Sequence, residues 1–162
     1  MFRNAQLADL AKIVAALGPV TPSTSTPDYV SMKNFDRMAV VIQALNGSTV
    51  TGSAITLHQA TSVAAGGEKA LAFSQVMANT DVAAADTLAA LAVTSNTFTT
   101  SNTNSKGLLY VIDVKAEDLD RAGGFDCVRC GTANAVNTTL SVTYIMYPAR
   151  YASPAAVSAI TD

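Results

Sequence analysis

The stretch from Gly107 to Tyr147 decides the fold class. It begins with an apolar strand, Gly107-Leu-Leu-Tyr-Val-Ile-Asp-Val-Lys115, followed by an acidic corner, Ala116-Glu-Asp-Leu-Asp-Arg-Ala-Gly-Gly124. A short strand from Phe125 to Arg129 and an alternating strand from Leu140 to Tyr147 complete it. Side chains that alternate between apolar and polar are typical of a strand with one buried face. The stretch therefore predicts the closing strands of an antiparallel β-sandwich.

The same period of two continues through the middle of the chain. Further strands are predicted at residues 38–45, 54–61, 70–77, 87–94 and 96–100. The alanines of 87–94 also favour a helix, but its threonines and the tight spacing to the next strand favour two short strands. The predicted fold class is all-β: an antiparallel β-sandwich or jelly roll of about eight strands with a short N-terminal helical arm.

The N-terminal end follows a different period. Apolar residues recur there at helical spacing, at Leu7, Leu10, Ala11, Val14 and Leu17. With Asn4 as N-cap and Gly18-Pro19 as the stop, they predict a helix of about 13 residues. The Pro-, Ser- and Thr-rich residues 19–27 predict an extended linker. The expected division is an arm at 1–27, a sandwich at 28–152 and a C-terminal tail at 153–162.

The composition restricts the partners. The 162 residues are 49% hydrophobic and only 14% charged, with a formal net charge of −2. The basic residues are scattered, which argues against binding to nucleic acid. No apolar run approaches the roughly 20 residues that a membrane-spanning helix needs. A surface this poor in charge predicts coverage by other protein, so we expect a homo-oligomer and no nucleic-acid or membrane partner.

Cys127 and Cys130 are spaced as C-x-x-C. On a strand, residues three apart point to opposite faces, so a disulfide between them would need a local turn. A redox pair would need a following helix and a zinc site two further ligands. Two buried reduced thiols are the favoured interpretation, with the disulfide and the metal site as alternatives. His58 has no carboxylate at i±2 and is predicted to be a surface or half-buried side chain.

No motif in the chain carries catalytic chemistry. There is one histidine, no glycine-rich phosphate loop and no nucleophile elbow. The acidic corner Glu117-Asp118-Leu119-Asp120 lacks the alternating ligands of a calcium loop, so we expect a solvated helical turn with Leu119 in the core. We predict no catalytic residue, no metal site, no cofactor and no enzyme. A carbohydrate-binding module is the main rival, although the chain has no Trp and only five Tyr for a sugar platform.

Four segments carry a resemblance to a known class of proteins: Asn34-Phe-Asp-Arg-Met-Ala-Val-Val-Ile42, Ile55-Thr-Leu-His-Gln-Ala-Thr61, Ala116-Glu-Asp-Leu-Asp120 and Pro148-Ala-Arg-Tyr151. Over residues 29–152 the chain resembles the small β-sandwich virion proteins of tailed bacteriophages. The resemblance implies a head decoration (cement) protein, or a tail or head-fibre component. The resemblance does not separate capsid from tail; for the decoration role it implies binding to the major capsid protein on the capsid exterior, after synthesis in the cytoplasm of the bacterial host.

Two expectations follow for assembly. Strands with apolar side chains on both faces suggest self-association, and we expect a trimer at three-fold positions of the shell. The apolar stripe of the arm is the candidate capsid anchor, formed by Leu7, Leu10, Val14 and Leu17. Because the linker would separate the arm from the sandwich, truncation before Asp28 is expected to leave the sandwich folded.

Overall fold

The computed structural model describes residues 6–149 and 158–160. In this part of the chain, a four-residue helix precedes eleven strands. Their bounds are α1 Leu7–Leu10, β1 Lys12–Val20, β2 Val30–Ser31, β3 Phe35–Asn46, β4 Ala54–Ala60, β5 Lys69–Ala70, β6 Gln75–Asn79, β7 Ala89–Ala92, β8 Thr97–Thr99, β9 Gly107–Lys115, β10 Cys127–Thr132 and β11 Thr138–Ala149. Two 3₁₀ turns, Ala116–Asp118 and Arg121–Gly123, connect β9 to β10.

The strands form two antiparallel sheets that pack face to face. The six-stranded sheet has the order β1-β11-β3-β9-β6-β7. The five-stranded sheet has the order β2-β10-β4-β5, and β8 also pairs with β4. The chain crosses between the sheets repeatedly, for example from β3 to β4 and from β10 to β11. The predicted all-β sandwich is confirmed, with more strands than the eight expected.

The core lies between the sheets and is built from the predicted inward faces. Fully or nearly fully buried side chains from the long strands of the six-stranded sheet are Met38, Val40, Ile42, Leu108, Tyr110, Ile112, Val114, Leu140, Val142, Tyr144 and Met146. Ile55, Leu57, Val128 and Cys130 face them from the other sheet. Each large apolar side chain removed from water contributes about 1.5–3 kcal/mol. The period of two in the sequence therefore marks the core correctly.

Two buried tyrosines connect the sheets through their hydroxyl groups. The Tyr144 hydroxyl, on β11, accepts a hydrogen bond of 2.8 Å from the backbone N–H of Cys130 on β10 and donates to the Asp28 carbonyl oxygen at 3.2 Å. The Tyr110 hydroxyl, on β9, accepts one of 2.7 Å from the N–H of Ser101, in the loop after β8. Each hydroxyl satisfies a backbone group where the ladders leave one unpaired.

The predicted N-terminal helix is wrong beyond Leu10. Residues 12–20 form strand β1, which pairs with β11 in the main sheet. The register shifts between Ala15 and Leu17, so Ala16 and Leu17 are both buried. Such a bulge interrupts the period of two and leaves apolar spacings that look helical. Gly18-Pro19 does not end the element, because proline is tolerated on an edge strand that pairs on one side only.

The linker packs against the sandwich as well. Pro22 and Pro27 are buried, and the N–H of Asp28 donates to the Ala16 carbonyl at 3.2 Å. Of the predicted tail 153–162, residues 153–157 and 161–162 lie outside the described residues. Ala159 is buried, and its carbonyl accepts a hydrogen bond of 2.7 Å from Ser31 N–H.

The region between β4 and β9 differs in detail from the prediction. The single strand expected at 70–77 is two strands in different sheets, because Leu71 N–H bonds to the Leu57 carbonyl and Phe73 N–H to the Ser95 carbonyl as the chain crosses over. The two short strands expected at 87–100 are confirmed as β7 and β8. They do not pair with each other, since β7 joins the six-stranded sheet and β8 the five-stranded one.

Candidate functional site

A charged cluster lies on the outer surface of the five-stranded sheet, around Glu68. His58 on β4 and Arg129 on β10 are direct cross-strand partners. One oxygen of Glu68 accepts from the Arg129 guanidinium at 2.8 Å and from the Tyr29 hydroxyl. The other lies 3.4 Å from His58 Nδ1. We call these four side chains the Glu68 cluster.

The structure brings together residues that the sequence analysis left apart. His58 is half-buried, as predicted, but a carboxylate does face it. Glu68 reaches His58 because β4 and β5 pair, with Gln59 opposite Lys69 and His58 opposite Ala70. Glu68 is ten residues from His58 in sequence, so it does not appear among the neighbours at i±2. The signal in the sequence is the Gly66-Gly67 turn, which returns the chain beside His58.

An ion pair, hydrogen bonds and a cation–π contact hold the Glu68 cluster together. The Arg129 side chain is only 19% exposed, and its guanidinium lies 4.8 Å from the centroid of the Tyr29 ring. Burial, and then the hydrogen bond to Glu68, raise the pKa of Tyr29 well above its ordinary value. Its hydroxyl therefore stays protonated and keeps donating to Glu68 at alkaline pH values where an ordinary tyrosine ionises. The remaining His58 nitrogen lies 3.1 Å from the Thr56 hydroxyl.

Loss of the Glu68 charge is expected to destabilise the fold. In Glu68→Gln the largely buried Arg129 keeps its charge without a counter-charge, which should cost about 1–3 kcal/mol and lower Tm by about 2–10 °C. Thermal unfolding measures the change. Asp113→Asn is the matched control, since the Arg37–Asp113 pair at 3.2 Å is about half exposed and should contribute under about 1 kcal/mol. Equal effects of the two variants would contradict the structural role of the cluster.

The acidic corner forms two 3₁₀ turns where the sequence predicts a single solvated helical turn, and Leu119 enters the core as predicted. Leu119 is buried between the two 3₁₀ turns. Asp120 accepts from the N–H of Gly123 at 3.0 Å and from the Lys69 ammonium, which lies over the Phe125 ring. The hydrogen bond from Lys69, and then that from Gly123, lower the pKa of Asp120. In the described part of the chain, no group of three or more His, Cys, Asp or Glu is placed to hold a metal ion.

Cys127 and Cys130 are buried thiols, as favoured from the sequence, and form no disulfide with each other. Cys130 belongs to the main core and Cys127 to a small cluster with Tyr29 and Ala60. Burial raises the pKa of Cys130 from 9.0 to about 12. A thiol is reactive as the thiolate, so the raised pKa of Cys130 makes this thiol unreactive in the folded state.

Both thiols should react with a labelling reagent only when the protein unfolds. Native protein at pH 8 is expected to show almost no modification over a time in which denaturant-unfolded protein is labelled fully. Because the pKa of Cys130 is higher in the folded state, its contribution to stability is complete below pH 9 and is lost as the pH rises towards 12. Tm should fall over that range. Rapid native labelling at pH 8 would contradict this burial.

The proposed anchor residues do not share one exposed stripe. Leu7 and Leu10, the first and last residues of α1, are 58% and 48% exposed. Val14 is partly buried against the core and Leu17 is only 6% exposed, because both belong to β1. Leu7 and Leu10 are therefore the two anchor candidates with exposed side chains.

An unusually apolar surface lies on the opposite side of the molecule, on the outside of the six-stranded sheet. Two runs of apolar residues in register lie on it, Ile13–Ile145–Ala39 and Val41–Val111–Met77. The first run continues to Asp113 and the second to Thr143, so polar residues border the surface. They alternate with the buried core positions; Ile13 is 46% exposed, and the other five are half-buried. Leu45, 64% exposed, extends the surface along β3. We call this surface the outer apolar face.

Comparisons with protein-family models, with curated proteins and with solved structures find no match to this chain. Within the described residues, every helix is too short to cross a membrane.

Proposed function

We propose that the protein is a structural protein of a tailed-bacteriophage virion that binds the capsid exterior and reinforces contacts between capsid subunits. The observation that carries the proposal is the outer apolar face. Its two runs place six apolar side chains, one exposed and five half-buried, on the outside of a sheet whose other side packs the core. A contiguous patch of this kind marks a surface that binds protein. The partner we propose is the major capsid protein, as the resemblance to small virion proteins implies.

In this proposal the protein stabilises the shell by holding neighbouring capsid subunits together. A shell carries many copies of the protein, so each contact needs only modest affinity to stabilise the particle by mass action. Antiparallel ladders across six strands make the sheet a stiff plate. Leu7 and Leu10 provide a second contact next to the β1 edge of that sheet. The proposed anchor thus keeps two of the four residues expected from the sequence. Each copy thereby has two places at which to hold neighbouring subunits.

The test measures how many copies bind to phage heads. Val41→Lys places a charge in the middle of the outer apolar face and is expected to reduce occupancy about tenfold or more, because the ammonium would be buried against apolar groups. Leu7→Ser combined with Leu10→Ser should reduce it to a smaller extent. Thr99→Lys, exposed on the other sheet, is the matched control. A particle reconstruction that shows the protein only in the tail would overturn the capsid role, and absence from the particle would overturn the virion role.

A carbohydrate-binding module is the second candidate, favoured by one polar cleft beside the Glu68 cluster. Hydroxyl groups of Ser23, Thr26 and Thr56 line this cleft together with His58 and Arg129. Hydroxyl, imidazole and guanidinium groups all form hydrogen bonds with sugars. Reproducible glycan-array binding that is lost in Thr56→Val would support this candidate over the first.

A further inference from the structure

The outer edge of β7 is the least protected sheet edge in the described part of the chain. All four residues of Ala89–Ala92 are exposed, and Leu88 and Leu91 are 38% and 43% exposed. The stretch 87–94, Thr-Leu-Ala-Ala-Leu-Ala-Val-Thr, contains no charge and no proline. Such an edge presents unpaired backbone groups on which another strand readily assembles.

The other sheet edges carry features that discourage pairing. β1, at the far side of the same sheet, contains Lys12, Pro19 and two register shifts. In the five-stranded sheet, β2 and β5 are two residues long and β8 is three. Lysine, proline, bulges and very short strands are the usual protections of a free edge. β7 has none of the first three, and its ladder with β6 extends to Val93.

The hydrogen-bond alternation shows which groups of β7 face outward. Val93 N–H donates to the Ser74 carbonyl at 2.9 Å, so Val93, Leu91 and Ala89 direct their backbone groups to β6. In an antiparallel ladder the intervening residues face the other side. The N–H and C=O groups of Ala90 and Ala92 therefore point away from the sheet. Among the described residues, no strand or hydrogen bond reaches them.

We propose that β7 pairs with β7 of a second copy, antiparallel about a two-fold axis at Ala90. In this register Ala90 of each copy exchanges both backbone hydrogen bonds with its equivalent. Each leucine then lies opposite an alanine, because Leu91 pairs with Ala89 and Leu88 with Ala92 of the other copy. Large side chains beside small ones avoid steric conflict across the strands. The two six-stranded sheets join into one continuous twelve-stranded sheet.

A second copy fits this edge better than an unrelated strand. The apolar sequence is complementary to itself in the antiparallel direction, and a charge-free edge creates no repulsion between identical copies. The contact is isologous and closes on itself, whereas the trimer expected from the sequence needs a head-to-tail contact. The pairing does not depend on the proposed function. A monomer that still bound capsids would overturn the pairing alone.

The experiment exploits the two-fold axis, which places residue 90 opposite itself. At about 100 μM, wild-type protein is expected to sediment as a dimer, with twice the mass of the 16.7 kDa chain. Ala90→Lys and Ala90→Glu should each weaken association at least about tenfold, because like charges face each other. An equal mixture of the two variants should associate again. Ala133→Lys, an exposed alanine in the loop after β10, is the control that should leave association unchanged.

A second variant tests the backbone hydrogen bonds. Ala90→Pro removes an outward N–H, leaves the bonds to β6 in place and is expected to give a folded monomer, since edge strands tolerate proline where the N–H faces solvent. Circular dichroism confirms the fold. A wild-type monomer at 100 μM would overturn the pairing. So would a trimer, or a dimer that survives both Ala90→Lys and Ala90→Pro.

Discussion

A chain that lacks residues 1–20 is expected to be largely unfolded at room temperature. The deletion removes β1, which pairs with β11 along its length and buries Ala16 and Leu17. Leu17 alone contributes about 2 kcal/mol of burial. The deletion also exposes the edge of β11 and removes the Ala16 carbonyl that holds Asp28 N–H. A combined loss above about 5 kcal/mol is comparable to the whole stability of a typical domain.

Circular dichroism and thermal unfolding of the truncated and full chains measure this effect. Full-length Leu7→Ser combined with Leu10→Ser is the matched control, because both side chains are exposed and should shift Tm by no more than a few degrees. A truncated chain that unfolds cooperatively near the wild-type Tm would contradict the role of β1. That result would restore the arm and linker inferred from the sequence.

The difference between the two N-terminal interpretations has a physical cause. The bulge between Ala15 and Leu17 places consecutive residues in the core, which a regular strand cannot do. The apolar residues then repeat at three and four, as in a helix. The apolar periodicity alone cannot distinguish a helix from a bulged strand, because the strand forms only by pairing with a segment distant in sequence. β11, more than 100 residues away, offers an unpaired edge, and pairing with it stabilises the strand over a short and marginal helix.

The regular strands behave differently because each is determined by its own sequence. Val40 and Ile42 on β3, and Val142 and Tyr144 on β11, alternate strictly with partly exposed residues, and all four are buried as predicted. A one-residue slip would turn every core side chain to solvent, so the pattern fixes register as well as the strand itself. Pairing order carries no such local signal, so the sequence does not predict that β7 and β8 belong to different sheets.

The Glu68 cluster and the β7 edge could not be predicted from the sequence either, because both depend on which strands pair. Glu68 meets His58 and Arg129 through a hairpin and a cross-strand pair, and neither neighbour is near it in sequence. The exposed edge of β7 becomes recognisable only when the sheet order is known. The absence of charge at 87–94 can be read from the sequence, but the position of this stretch on a sheet edge cannot.

Tyr144→Phe is expected to lower the free energy of unfolding by about 1–3 kcal/mol although it removes a single oxygen atom. Tyr144 is fully buried, and its hydroxyl accepts the N–H of Cys130, which is buried as well. Phenylalanine leaves this donor without a partner where water does not reach. The cost is then the desolvation of the orphaned group, which exceeds the net value of an ordinary hydrogen bond. Tm should fall by about 2–10 °C.

Tyr110→Phe is the matched control for this prediction. Its hydroxyl also accepts a backbone N–H, from Ser101, at 2.7 Å. Ser101 is partly exposed, so water can replace the lost acceptor, and the expected cost is under about 1 kcal/mol. Chemical denaturation of the two variants at pH 7 measures both values. Equal losses would show that the two hydroxyls act only as packing groups, whereas a larger loss for Tyr144 assigns the connection between the sheets to the bond with Cys130.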